Sequence, residues 1–328
     1  MCFEREKPYM KKKFSFFLLL ILVNFVAKAQ QEALFSNYMF ARTIANPSFV
    51  GADKTINALF CTRSMFTGFD GKPVTSVFGV DAPVEIFGIH SGLGLLIMND
   101  KLGFQNDISV DFTYAYHHSL KNGRFGVGLK AGFNNYSIDP AEGWEYPDKE
   151  GSSDNFVPDQ FSAMIFNVNF GAYYETSQYY LGFSASKLNR GVIFDPEDLE
   201  EIEYGYYVPH YYLTGAYNIE LPDPLFDLQS AFILRSDLAS YSLDINGTMF
   251  FKKKYWGGLG LRVSPRNIAS FTLLGGIELV NGLDLGYALD VNTSYLIFKG
   301  ATSHEVILTY SFNIETKRDK KYKSVRYL

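Results

Sequence analysis

The sequence predicts an all-β chain, a closed antiparallel transmembrane β-barrel of about 14 strands with a short N-terminal segment before the first strand. Three observations predict it. Apolar side chains alternate with small or charged ones in segment after segment, the two-residue period of a strand. Aromatics make up 17% of the chain, with 23 Tyr and 30 Phe, a content suited to membrane interfaces. After the first 29 residues no apolar run reaches the ~18–20 residues a membrane helix requires.

In chain order, a secretory signal comes first. Lys11, Lys12 and Lys13 form a positive region, Phe14 to Val26 an apolar one, and Ala27-Lys28-Ala29 a small-x-small cleavage site. Cleavage after Ala29 makes residues 1–29 the signal peptide. Six of the 30 basic and two of the 35 acidic residues lie in this leader, leaving 24 against 33, a net charge of −9. That balance argues against nucleic-acid binding, which needs a basic footprint. Cys61 is the sole cysteine after the leader, so no intramolecular disulfide supports the fold.

Residues 30–54 form the N-terminal segment, with "YMFARTIANPSFVGA" at 38–52. Leu34, Tyr38, Met39, Ala41 and Ile44 sit near helical spacing, and Asn46-Pro47 ends the pattern, because a residue before Pro disfavours the helical region. The expectation is a short helical or turn-rich piece below or inside the barrel mouth, acting as a plug or a docking segment. Tyr38, Arg42, Asn46 and Pro47 are its candidate partner-binding residues.

The barrel spans 55–314. Its clearest strand is "RFGVGLKAGFNNYSI" at 124–138, where Phe125, Val127, Leu129, Ala131 and Phe133 alternate with Gly126, Gly128, Lys130, Gly132 and Asn134. The preceding strand alternates Ile108, Val110, Phe112, Tyr114 and Tyr116 with Ser109, Asp111, Thr113, Ala115 and His117. Asn122-Gly123 and Asn281-Gly282 mark hairpins. Fourteen segments follow this pattern, centred on 55–63, 73–83, 92–100, 106–119, 124–138, 163–175, 178–187, 208–221, 226–237, 240–251, 254–264, 268–280, 283–292 and 304–314.

The charges orient the strands. Asp111, Lys130, Arg235, Asp244, Arg262, Asp284 and Asp290 all fall on the less apolar face. Facing lipid at mid-depth, each Arg or Lys would cost roughly 2–4 kcal/mol. The charged face therefore lines the lumen and the aromatic face meets lipid. Closure follows because an open sheet edge in hydrocarbon leaves backbone groups unpaired. The connections agree, with short turns at 120–123, 176–177, 222–225, 252–253 and 281–282 on the periplasmic side. The longest connections, 139–162, 188–207 and 293–303, fall outside.

Chemistry is sparse. There is no HExxH, GxSxG or P-loop, so the chain is not expected to be an enzyme, and no catalytic residue, cofactor or metal site is assigned. His117 and His118 point to opposite faces beside a turn and read as interfacial polar residues. The acids of 139–162 and 195–203 match no EF-hand spacing and read as solvated loops. The tail after Phe312, "ETKRDKKYKSVRYL" at 315–328, is basic and periplasmic, in reach of anionic lipid or an acidic partner.

Four stretches together resemble the PorP/SprF family of type IX secretion outer-membrane proteins. They are "LFSNYMF" with "NPSFVG" within 31–51, "RSMFTGFDGKPVT" at 63–75, "GLGLLIMNDKLGF" at 92–104 and "SHEVILTYSF" at 303–312. Phe66 stands where family members often carry Trp. The resemblance implies a non-enzymatic barrel in the outer membrane of a Gram-negative bacterium. Its implied partners are outer-membrane lipids, type IX secretion components and a secreted cargo such as a gliding-type adhesin, which it helps export or retain. A general diffusion or uptake channel is the alternative.

Overall fold

The computed structural model describes residues 32–53, 55–139, 160–194, 203–265, 267–293 and 302–313. The predicted signal peptide, the acids at 140–159 and 195–202, and the basic tail lie outside the described residues.

Two-residue alternation yields fourteen wall strands. They are β1 (Thr55–Ser64), β2 (Val74–Ile86), β3 (Ile89–Leu102), β4 (Gln105–Leu120), β5 (Gly123–Ile138), β6 (Phe161–Glu175) and β7 (Tyr179–Ser186). A small pair, β8 (Val192–Phe194) and β9 (Glu203–Tyr206), forms its own two-stranded sheet in the connection that follows. The wall resumes with β10 (His210–Glu220), β11 (Phe226–Ser236), β12 (Tyr241–Phe251), β13 (Tyr255–Ser264), β14 (Asn267–Val280), β15 (Leu283–Asn292) and β16 (Thr302–Asn313). Each wall strand pairs antiparallel with its wall neighbours in sequence, and β1 closes the ring on β16, from Thr55 opposite Asn313 to Ser64 opposite His304. The sequence pattern contained no sign of the β8–β9 pair.

The two faces divide as the charges require. Phe112 is 66% exposed, whereas its neighbours Asp111 and Thr113 are 4% and 6% exposed. Leu129, Phe133, Ile245, Leu259 and Phe271 join the outward band, and Lys130, Asn134, Asp244, Asn246 and Arg262 are buried inside. The hairpin at 281–282 has the expected Asn-Gly centre, with Gly282 at φ +80. The other differs by one residue. Leu120 pairs with Gly123, so Lys121 and Asn122 make the turn. That register sets His117 opposite Gly126 on the lumen side, and a slip of one residue would turn every charge of β5 outward.

The lumen is not empty. Residues 32–53 run through it, and each of them is buried or half-buried. The segment is turn-rich as expected: a turn at 37–40, one helical turn α1 (Arg42–Ala45) and a 3-10 turn at Pro47–Phe49. Asn46 ends α1 in extended conformation, and its side chain accepts from Ser48 N to start the next turn.

Candidate functional site

The site is the contact between this segment and the lumen wall. Its tip is Glu32. Ser186 Oγ donates to Glu32 Oε1 at 2.8 Å, Tyr212 Oη donates to Oε2, and Lys187 Nζ lies 3.7 Å from Oε1. Burial works to raise the Glu32 carboxyl, but Lys187, His210 and the Ser186 hydroxyl outweigh it and hold it below the usual carboxylate range. A depressed folded value means this tie contributes in full above the ordinary Glu range and fades as pH falls through the lowered value. Acid, not base, is therefore expected to free the tip. Protease clipping within residues 32–40, followed from pH 7 down to pH ~3, should rise in the native chain. Glu32→Gln should clip readily at every pH and lose that step.

Next comes a buried ionic cluster. Arg63 Nη1 donates to Glu305 Oε2 at 3.0 Å and to Ser36 Oγ at 2.9 Å, and Arg63 Nη2 pairs with Asp290. Arg262 donates to Asp244 at 2.8 and 2.9 Å and reaches Asp290 at 3.4 Å, and Arg235 donates to Asp244 at 2.9 Å. The segment completes the set with neutral groups. Ser36 N donates to Glu305 Oε2 at 2.7 Å, and Asn37 N and Nδ2 each donate to Oε1 at 2.8 Å. Arg63, Asp290 and Glu305 are at most 2% exposed. Such a cluster is tolerated because every charge in it is paired, while Arg63 Nε and Arg235 Nη1 stay buried without a hydrogen-bond partner among the described residues.

The predicted residues then appear in order. Tyr38 Oη donates to Ala231 O at 2.9 Å. Burial and the nearby Asp244 charge push its phenol well up, so it stays a donor. Arg42 lies 3.6 Å from Asp53 and 3.9 Å from Glu175, with its guanidinium 4.7 Å above the Phe49 ring. Burial disfavours that cation, yet Asp53 and Glu175 outweigh it and raise Arg42 above its ordinary value. Asn46 Nδ2 donates to Ala172 O and Phe183 O, both at 3.2 Å, taking backbone acceptors of β6 and β7. Pro47 is buried against β5. Phe49 stacks on Tyr173 at 4.5 Å and meets Tyr180 edge-on at 5.4 Å.

The floor under Asn46-Pro47 is made of glycine. Gly128 and Gly171 are directly paired across β5 and β6. A Cβ on Gly171 would lie 2.0 Å from Asn46 Oδ1, and one on Gly128 2.6 Å from the Pro47 carbonyl carbon. Only bare backbone admits the segment here. Gly171→Val is expected to destabilise the seated segment by about 1–3 kcal/mol through overpacking. The barrel should keep its heat-resistant mobility on gels while residues 32–50 become protease-sensitive.

His117 is not an interfacial polar residue as the sequence suggested. It is buried in the lumen, with Nε2 2.9 Å from Val50 O and Nδ1 3.1 Å from Tyr173 Oη. A carbonyl only accepts, so Nε2 carries the proton and Nδ1 accepts from Tyr173. Its neighbour His118 is exposed beside Tyr116, on the opposite face as expected. Beyond it, Gly51 N donates to Asp81 at 3.0 Å, and Arg124 pairs with Glu175 while donating to Ala52 O.

All four predicted residues thus lie in one lumen contact. Sequence reasoning missed Arg63, Asp290 and Glu305 as a unit, because their partners are more than 200 positions apart. The available signal was their shared parity: each is a full charge on a lumen-facing position of β1, β15 or β16.

A family model described as type IX secretion system membrane protein PorP/SprF matches residues 27–310. No protein of curated function matches the chain. Solved variants of the Rhodopseudomonas blastica porin resemble it at 9–10% identity, covering 79% of this chain and 99% of their own, with a TM-score of 0.35. That likeness is too remote to carry porin behaviour over. With a closed barrel wall, a membrane-facing aromatic band and a family match over nearly all of that wall, this chain belongs to the PorP/SprF family of type IX secretion system membrane proteins.

Proposed function

We propose that this barrel is a non-enzymatic outer-membrane partner of a type IX secreted protein, assisting its export or its retention at the surface, and that its lumen is normally shut. The observation that carries this reading is the filled lumen. Residues 32–53 take hydrogen bonds or ion pairs from strands on all sides of the ring, an arrangement unsuited to free diffusion. Long loops face outward and tight turns face the periplasm, as is usual for such barrels. A surface adhesin of the gliding type is the cargo class most in keeping with the family resemblance. Tyr38, Arg42, Asn46 and Pro47 would meet such a partner only after leaving the lumen, since each is now held by the wall or by the segment itself. Deleting the gene and blotting cells and medium for type IX cargo tests the role. Cargo should shift between surface, medium and cell interior, and an unchanged distribution would sink the proposal.

A further inference from the structure

The segment is tethered to β1 at one mouth of the barrel, and with the expected cleavage after Ala29 the chain starts just before Glu32 at the other. Asp53 lies beside Arg42 at the end where β1 starts, near Glu175 and Arg124 at the tight-turn ends of β6 and β5. Glu32 sits at the opposite, long-loop end, against Ser186 at the end of β7 and Tyr212 near the start of β10. Residues 32–53 therefore run down the lumen, antiparallel to β1. A strand tied at one mouth of a tube clears it only by leaving through that mouth. Drawn the other way, it would still thread the lumen from residue 53 upward.

The charges are divided to match. Arg63, Arg235 and Arg262 balance Asp244, Asp290 and Glu305, and all six belong to the wall. Arg124 and Glu175 pair within the wall, as do Lys130 and Asp111. Arg42 pairs with Asp53 within the segment at 3.6 Å and crosses to the wall only at Glu175, 3.9 Å away, which also has Arg124. Into the ionic cluster the segment sends only neutral groups, from Phe35, Ser36 and Asn37. Removing it strands no charge in the cluster, and its one full-charge tie at the tip is Glu32 with Lys187.

We propose that residues 32–53 are a strap, tethered to the start of β1 and latched by Glu32, that withdraws through the tight-turn mouth when a partner on that side draws it out. Naming that mouth periplasmic rests on the orientation given above, and the mechanics do not depend on the cargo. On withdrawal the cluster keeps its three cations and three anions, and Glu175 loses Arg42 but keeps Arg124.

Labelling tests it in the full-length chain carrying Cys61→Ala and Ala33→Cys, which keeps the Glu32 latch beside the half-buried position 33. On intact cells a membrane-impermeant maleimide-polyethylene glycol should tag position 33 from outside. Adding Gly171→Val, which crowds the seated strap, should abolish tagging from outside. Tagging should then appear only once the outer membrane is permeabilised. Outside tagging that persists or rises in the Gly171→Val chain overturns the proposal, because the tip has then stayed at the long-loop mouth or left through it. Tagging of the parent solely after permeabilisation overturns the orientation. Heat-modifiable gel mobility selects folded protein for both readings. A second variant guards against poor folding: Glu32→Cys with Ser186→Cys, in the Cys61→Ala background, reconstituted in planar bilayers. With the disulfide formed, Gly171→Val should stay silent, and a reductant should open it. Conductance with the clamp intact overturns the latch. Neither reading involves a cargo, so the type IX role can fail while the strap stands.

Discussion

Barrels lacking residues 32–50 are expected to conduct ions steadily, whereas the intact chain stays closed. The ring does not depend on the segment for closure, since β1 and β16 pair along their whole length. Nor does the ionic cluster, whose three cations and three anions are wall residues. What the deletion removes is the filling. Phe49 leaves the Tyr173 and Tyr180 rings, and Phe40 leaves Trp256, 4.5 Å away. Each lost anchor forgoes about 1.5–3 kcal/mol of apolar burial. The barrel should therefore survive with a lower unfolding temperature. Fourteen strands stand between the eight that side chains fill and the 16–18 of an open porin, so water and small ions should enter. Planar-bilayer recording reads the outcome directly. A deletion that folds, by heat-modifiable mobility, yet stays silent would mean that something other than the segment closes the lumen.

The second large effect is expected at Arg63. Arg63→Ala removes one partner of a buried pair and leaves Glu305 without its cation, a loss of about 3–5 kcal/mol. Arg262 still reaches Asp290 at 3.4 Å, so Glu305 is the residue left exposed to the imbalance. Removing both charges should cost much less. In Arg63→Met with Glu305→Gln, two cations face two anions, and the Gln carbonyl still accepts from Asn37. Thermal unfolding in detergent, followed by the gel shift, should place the double variant between Arg63→Ala and the native chain. If Arg63→Ala unfolds with the native chain, the cluster is not what ties β1, β15 and β16 together in the lumen.

The alternation was legible because it is local. Each residue of "RFGVGLKAGFNNYSI" faces lipid or lumen by its parity alone, and Lys130 then fixes which is which. The wall strands and the inward charges follow from that rule. The segment was harder to read. Leu34, Tyr38, Met39, Ala41 and Ile44 suggest one helical face, yet the helix is only Arg42–Ala45. The reason is that wall surrounds the segment. Phe35 packs with Cys61 and Val77, while Tyr38 and Met39 pack with Tyr212 and Phe250. Apolar residues on every side are useful there, so no single face is selected. His117 shows the same limit, since nothing near it in sequence announces that the Val50 carbonyl comes to meet it.

By itself the sequence determined a closed barrel, its inside and outside, its short and long ends, and a lead-in segment bounded by Asn46-Pro47. Only the tertiary structure decided that the segment lies in the lumen with Glu32 at the long-loop mouth, and that Arg63 joins Asp290 and Glu305. The physical reason is closure. Alternation acts between neighbours two residues apart, whereas the ionic cluster exists only after the ring brings the first strand against the last.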